Sequence, residues 1–351
     1  MTRNRSKQND AEMRYACFGR TGLRVSRLCL GAGRLGGDDQ DRFDRCVGLA
    51  LDRGVNLIDT ANIYQNGRNE EQLGRALRGL GRRDEVLVAT KVEGPMGPGP
   101  LQKGISRRHI VQQCDESLRR LGTDWIDVYQ LHCSHGSTVP IDEPLGAFDD
   151  LIRAGKARYC GTSHYAPWQL MESVAVSRSR GGPRFVSEQC SFHPLDRWAE
   201  RELLPFAESY GLALLLWSPL AFGFLGGRYR RGDRLPKYVM FREMDRQPWR
   251  AEQAWAIVDE LRRLAGEKGV SMAALTLAWT LSRGESFFPL IGGRNEAQID
   301  DALTAVNVTI EPDEEARIDA LIEAGQTALA FNGCGKEPPL NGDWGPHRFT
   351  I

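Results

Sequence analysis

The amino-acid sequence predicts an α/β fold, a (β/α)8 TIM barrel with an N-terminal β-hairpin and a C-terminal extension. Three observations carry that prediction. Eight short apolar runs each lead into a helical pattern, at a spacing of mostly about thirty residues. Such alternation requires a parallel sheet with crossover helices, and eight units favour closure over an open sheet. A barrel of this kind takes roughly 250 residues, so a chain of 351 holds it with residues to spare. The expected division is a polar tail over 1–12, the barrel over 13–325 and a C-terminal tail over 326–351.

The elements follow in order. Met13–Phe18 and Leu23–Arg27 alternate around Gly19-Arg20-Thr21-Gly22 and read as a hairpin. Val25–Leu30 merges with its second arm as the first barrel strand, and Gln40–Asp52 is the first helix. Val55–Ile58 follows as a strand and Glu70–Leu80 as a helix. Val86–Thr90 leads to a helix over Ser106–Leu121, with Ser106 as its N-cap. Trp125–Leu131 leads to a helix over Pro144–Ala154, stopped by Gly155. Ala157–Gly161 leads to Pro167–Val176, opened by proline in its first turn. Phe185–Gln189 pairs with a helix over Ala199–Tyr210. Leu212–Trp217 is followed by a long excursion, 228–250, and a helix over Glu252–Glu267. Met272–Ser282 is helical, Phe287–Ile291 is the last strand, and Glu296–Leu303 and Asp313–Ala324 close the pattern as helices.

Composition narrows the function classes. Lys+Arg and Asp+Glu both number 46, and a formal charge of zero argues against nucleic acid or an anionic membrane as a general partner. The polar start MTRNRSKQNDAE shows no apolar signal core, and the most apolar window, Leu212–Leu225, is broken by Ser218-Pro219 and Gly223. A cytoplasmic protein is expected. The eight cysteines form no C-x-x-C pair, which fits reduced packing residues.

Gly31-Ala32-Gly33-Arg34-Leu35-Gly36 spells G-x-G-x-x-G after a strand, with Asp52 roughly twenty residues on. Asp52, however, falls inside a helical pattern, and Gly36-Gly37-Asp38-Asp39 delays the helix that the third glycine should open. A glycine-rich first loop that lets a ligand or backbone approach closely is the better reading.

In a barrel of this type the loops at the carboxyl ends of the strands carry the site. Those ends deliver Asp59, Lys91, His132, Ser163 with His164, Gln189, and Trp217 with Ser218. Each alone has a bland explanation as a cap, a solvated charge or a structural hydrogen bonder. A metal site using Asp59, His132 and His135 is a further possibility, and Cys133 and His135 are candidate pocket residues. Together, at successive strand exits, the residues point to one site.

The sequence resembles the aldo-keto reductase superfamily. The resemblance rests on Asp59-Thr60-Ala61-x-x-Tyr64 with Gly67-x-x-Glu70-x-x-Leu73-Gly74, on Ala89-Thr90-Lys91, and on Leu121–His132. It extends through Gly155–Ser163, Trp217-Ser218-Pro219-Leu220, Gly226–Tyr229 and Pro289–Arg294 with Gln298. It covers roughly Met13 to Ala324 and is similar to the bacterial oxidoreductase branch that also resembles potassium-channel β subunits. The resemblance implies reduction of an aldehyde or ketone, a sugar-derived one included, by hydride from a nicotinamide cofactor. It implies a tetrad of Asp59, Tyr64, Lys91 and His132. A phenol with an ordinary pKa near ~10 is a reluctant acid at neutral pH, so Lys91 is expected to lower the pKa of Tyr64. Asp59 balances Lys91, and His132 meets the substrate oxygen. No metal is called for.

The implied cofactor shell is Ser163, His164 and Gln189 at the carboxamide, with Phe192 stacking on the nicotinamide. Trp217, Ser218, Pro219, Leu220, Ala221 and Arg228 follow on the pyrophosphate side, and Gly292, Arg294, Gln298 and Asp301 at the adenosine. Arg294 suits a 2′-phosphate, so NADPH is expected ahead of NADH. A non-catalytic nucleotide-binding redox sensor or partner subunit is the alternative class. The 228–250 excursion is a candidate lid, and the tail, with Trp344 and His347, a candidate cover for the mouth.

Overall fold

The computed structural model describes residues 12–133, 139–235 and 248–329. Strands β1 (Tyr15–Cys17) and β2 (Arg24–Ser26) form an antiparallel hairpin. The other eight are β3 (Cys29–Gly31), β4 (Leu57–Asp59), β5 (Leu87–Val92), β6 (Ile126–Leu131), β7 (Ala157–Ser163), β8 (Phe185–Ser191), β9 (Ala213–Trp217) and β10 (Phe287–Ile291). They close in chain order into a parallel barrel in which β10 pairs with both β9 and β3. The eight-unit expectation is met.

Two cores hold the barrel. The inner one stacks Cys29, Leu57, Ala89, Val128, Val186, Leu215 and Phe288, alternate strand residues that point inward. Phe18 of the hairpin closes it from the amino ends of the strands, edge-on to Phe288 at 5.4 Å. The outer core lies between strands and helices and is much larger, running from Leu28 and Leu30 to Leu329. The helices reach it through apolar faces and start at real caps. Ser106 accepts from the His109 N–H at the start of Arg107–Leu121, and Asp39 from that of Arg42 at the start of Gln40–Asp52.

Several boundaries shift toward the carboxyl ends. β4 runs through Asp59, β5 through Val92, β7 through Ser163 and β8 through Ser191. Each extension takes polar residues into the ladder, where strand pairing overrides their weak β preference. The last helix is shorter than expected, Pro312–Asp319. Gln326–Leu329 then packs on the loop after β8: Arg197 N donates to the Gln326 carbonyl at 2.9 Å, and Ala328 N to that of Leu195 at 2.9 Å. The remaining tail, 330–351, His135, and 236–247 of the candidate lid lie outside the described residues. The G-x-G-x-x-G stretch is not a dinucleotide fingerprint. A short 3-10 turn occupies Ala32–Arg34, the helix waits until Gln40, and Asp52 pairs with Arg82 at 2.6 Å.

Candidate active site

Three neighbouring strands build the site. Asp59 ends β4, Lys91 is the last residue but one of β5, and His132 follows β6 directly. Lys91 lies in register with Gln130 across β5 and β6. Alternation places Ala89 and Lys91 on one side of β5, and Val128 and Gln130 on one side of β6. Ala89 and Val128 belong to the inner core, so the polar residues form the next layer up, at the mouth.

The Lys91 ammonium donates to Asp59 Oδ1 at 2.5 Å and to the Thr60 carbonyl at 2.8 Å. Asp59 Oδ2 accepts from Gln130 Nε2 at 3.1 Å and Gln189 Nε2 at 2.9 Å. Lys91 is 0% exposed and Asp59 3%. A charge this deep is tolerated only when paired and hydrogen-bonded, and here it is both. Asp59 is committed to an ammonium, a poor arrangement for a metal ligand.

Tyr64 arrives from the turn after β4. Gln65 (φ 50°), Asn66 (φ 59°) and Gly67 (φ 91°) are left-handed, and they turn the chain so that the phenol lies over the barrel end. The Tyr64 ring centre is 5.2 Å from Lys91 Nζ, and its hydroxyl is hydrogen-bonded to the ammonium. Beneath the ring is Gly33, where a Cβ would stand 3.0 Å from the ring edge, so that any larger residue would press on the phenol. His132 meets Tyr64 edge-on, with ring centres 5.7 Å apart at 76°.

The electrostatics depart from expectation in one respect. Burial raises the Tyr64 pKa, Lys91 lowers it, Asp59 raises it again, and the net is above the ordinary phenol value. Lys91 therefore offsets burial without overcoming it, and the phenol is protonated at neutral pH. Burial acts against the Lys91 ammonium, but Asp59 and Tyr64 outweigh it and hold the pKa above the usual lysine value.

Around this centre the other expected residues divide. Ser163 Oγ donates to the Gln189 carbonyl at 2.9 Å and sits 2.8 Å from His164 Nδ1. His164 (φ 60°) lies beside Trp217, ring centres 5.5 Å apart. Trp217 is half-buried at the end of β9. Ser218, Pro219, Leu220 and Ala221 continue from it as a tight turn in which Ser218 Oγ accepts from Phe222 N at 3.0 Å. Arg228 is exposed beyond it, as are Gly292, Arg294 and Gln298 after β10. Gln298 Oε1 accepts from Arg294 N at 2.8 Å. Asp301 instead accepts from Ser271 Oγ at 2.9 Å, tying the last turn of the helix over Glu296–Leu303 to the N-cap of the helix over Met272–Ser282.

Phe192 needs correction. It is fully buried in the outer core, stacked on Trp279 at 5.6 Å and against Phe287 at 4.6 Å. β8 continues to Ser191, and with it the alternation that turns residue 192 away from the mouth. The aromatic surface at the mouth is Trp217. The cysteines also differ from expectation. Cys17, Cys29, Cys46, Cys114, Cys160 and Cys190 are free, but Cys133, next to His132, is disulfide-bonded.

A family model for the aldo/keto reductases matches residues 27–323, which is most of the chain and all of the barrel. The chain belongs to the aldo/keto reductase family. It is 37% identical over 313 residues to the uncharacterized oxidoreductase YrpG of Bacillus subtilis, covering 85% of this chain and 93% of that one. It is 36% identical to a probable voltage-gated potassium channel subunit beta of Oryza sativa, over 89% of this chain and 97% of that one. It is 31% identical to the L-glyceraldehyde 3-phosphate reductase of Escherichia coli, over 91% and 95% respectively. Aldo/keto reductases reduce carbonyl groups of small molecules and generally use NAD(P)H. Among the described residues no helix is long and apolar enough to cross a membrane.

Sequence reasoning missed three residues that lie around this centre. Gln130 is one, and its signal was available: it stands two before His132, the spacing of one strand face. Gly33 was seen only as part of a glycine-rich loop. Glu93, two beyond Lys91, was passed over although it is an acid at a strand exit.

Proposed function

We propose that this chain is an NADPH-dependent reductase of aldehydes or ketones, sugar-derived ones included, with Tyr64 as the general acid. The observation that carries the reading is Lys91, fully buried between the Asp59 carboxylate and the Tyr64 hydroxyl. Such an arrangement stabilises no surface and packs no core. It keeps one phenol next to one fixed cation.

The residues fit a nicotinamide dinucleotide. Trp217 offers a half-buried aromatic face beside His164 and Ser163, and Gly31 and Gly292 leave backbone bare between the β3 and β10 ends. Arg294 and Gln298 stand exposed at the start of the helix over Glu296–Leu303, whose amino end favours a phosphate. The guanidinium of Arg294 suits a 2′-phosphate and supports NADPH ahead of NADH. Arg228, Ser218, Pro219, Leu220 and Ala221 would follow the pyrophosphate, and Asp301 would act only through Ser271.

When bound, the cofactor supplies hydride to the carbonyl carbon. The protein's own part is the proton. Tyr64, neutral because burial outweighs Lys91, gives its proton to the carbonyl oxygen as negative charge develops there. Lys91 then faces a phenolate, which it stabilises at hydrogen-bond range, while Asp59, Gln130 and Gln189 hold Lys91 in place. His132, edge-on to Tyr64, orients the carbonyl oxygen.

The free thiols and the balanced charge support a cytoplasmic location. The 36% identity to a potassium-channel β subunit supports a second reading, a nucleotide-binding partner subunit.

One set of measurements separates the two. Fluorescence titration with NADPH and NADH, followed by turnover of an aldehyde panel, is expected to show tighter NADPH binding and carbonyl-dependent oxidation. Tyr64→Phe is expected to lose at least ~10³-fold in kcat with NADPH affinity changed less than about threefold. A variant that keeps most of its rate removes Tyr64 from the acid role. Tight binding without turnover favours the partner subunit.

A further inference from the structure

Glu93 is unlike the other acids of the chain. It follows Lys91 by two residues, directly beyond the end of β5, with a backbone φ of 145° that non-glycine residues rarely adopt. Its backbone is fixed there by the Gly104 N–H, which donates to the Glu93 carbonyl at 2.7 Å. Its carboxylate accepts a short hydrogen bond from the backbone N–H of Cys133, the residue after His132. Its charge also acts on Tyr165, two residues beyond Ser163. Glu93 therefore lies among the ends of β5, β6 and β7, on the rim that carries Lys91, His132 and Ser163. It is only partly buried.

Burial raises the Glu93 pKa to about 7 against the lowering effect of the Cys133 N–H, and among the described residues no lysine or arginine contributes. The titratable and charged neighbours are Lys91 on its own strand, His132 from β6, and Tyr165 from the turn after β7 with Glu188 behind it. His109 comes from the helix over Arg107–Leu121 and faces the Gly94 and Leu101 carbonyls. Among the described residues no cation balances Glu93, since the Lys91 ammonium is taken by Asp59 and Tyr64, and a strained, half-buried acid in that position is costly to keep unless it meets something.

We propose that Glu93 is a specificity-determining residue, a carboxylate on the rim above Lys91 and His132 that turns away anionic carbonyl compounds and accepts neutral hydroxylated ones. The inference rests on the reductase reading. A carbonyl held at Tyr64 sends the rest of its molecule out past this rim. A carboxylate or phosphate there meets a like charge in a site of low dielectric. A hydroxyl donates to the carboxylate in a charge-assisted bond. Selection against one substrate by repulsion, as well as for another by contact, is how small sites discriminate.

The test uses two probes of similar shape, 4-carboxybenzaldehyde and 4-(hydroxymethyl)benzaldehyde. Their kcat/KM values, and their Kd values by tryptophan quenching of the NADP-loaded enzyme, are measured at pH 6 and pH 8 for wild type and Glu93→Gln. Glutamine keeps an acceptor for the Cys133 N–H and loses the charge. At pH 8 the substitution is expected to raise the anionic-to-neutral ratio about tenfold. In the wild type the same ratio is expected to rise several-fold from pH 8 to pH 6, as Glu93 takes up a proton. The benzoate, with a pKa near ~4, stays charged throughout. The ratio in Glu93→Gln is expected to rise less than in the wild type, and the difference between the two series isolates Glu93, since His132, His109, Tyr165 and Glu188 are common to both proteins. An unchanged ratio on substitution overturns the inference, as does a wild type that takes both probes equally at pH 8. If neither probe turns over, the reductase reading fails, and the Kd ratios alone decide the role of Glu93. The wild-type pH series needs no variant, so with a misfolded Glu93→Gln a wild-type ratio that is flat between pH 8 and pH 6 still overturns the inference.

Discussion

The two ends of the barrel solve opposite problems. At the amino ends of the strands everything is closed and paired. Phe18 and Val25 plug the inner core, Arg20 N donates to the Gly211 carbonyl at 2.9 Å, and Arg83 bonds Asp127 and the Trp125 carbonyl, each at 2.9 Å. Where the chain must turn left-handed at that end it uses glycine, as at Gly122 and Gly211. At the carboxyl ends the pattern inverts. Among the described residues every non-glycine residue with a left-handed φ is there: Gln65 and Asn66 after β4, Glu93 after β5, His164 after β7, and Ser218, Ala221 and Phe222 after β9. A buried ammonium and carboxylate replace apolar side chains in the layer beneath. One end is built for stability, and the other spends some of it on fixing side chains in poses the backbone resists.

The sharpest way to break this contrast is at Lys91. Lys91→Met is expected to abolish turnover, by ~10³-fold or more, because the phenolate left after proton transfer loses its cation. It also leaves Asp59 buried and uncompensated, at a cost on the order of 3–5 kcal/mol. Adding Asp59→Asn removes that charge. The double variant is expected to recover most of the lost stability in a urea titration and none of the activity. A double variant no more stable than the single one means that the pair contributes to the fold, and the division between the ends fails there.

At the other end the expectation reverses. Phe18 is fully buried and packs edge-on against Phe288. Phe18→Ala is expected to cost about 3–4 kcal/mol by leaving a cavity in the barrel floor. Its kcat/KM at low temperature, per folded molecule, is expected to stay within about twofold of wild type. A larger loss would mean that the floor communicates with the mouth through the inner core.

What the sequence made legible follows the same line between the ends. The strand and helix count was readable because burial imposes period and composition, and those repeat eight times. Lys91, Asp59 and His132 were readable as polar residues where apolar runs stop. The exact strand ends were not, because Ser163, Cys190 and Ser191 carry no strong β preference and extend the ladder only through tertiary pairing. That extension is what decides Phe192. A strand ending at Gln189 leaves its direction open, whereas one ending at Ser191 sends it into the outer core. The net pKa of Tyr64 was illegible for a different reason. The sequence supplies Lys91 as a neighbour but says nothing of burial, and burial is the larger effect. Glu93 shows both limits, since neither its φ nor its contact with Cys133 has a sequence signal.

The smallest expected effect tests the strain itself. Gln65 is exposed and left-handed, with φ 50° and ψ 34°, directly after Tyr64. A non-glycine residue held there costs roughly 1–2 kcal/mol. Gln65→Gly relieves that cost but adds freedom to the unfolded chain, worth roughly 0.5–1 kcal/mol in the other direction. The net expectation is a gain of about 0.5 kcal/mol, readable as a small rise in the urea midpoint at unchanged slope. The same freedom loosens the turn that carries the phenol. A fall in kcat of about two- to fivefold is therefore expected, with KM little changed, because Tyr64 acts on the transition state more than on binding. A variant that gains stability and keeps its full rate would show that the left-handed turn is tolerated at this end and not used by it. A variant that loses both would show that Gln65 holds the turn through contacts its exposure conceals.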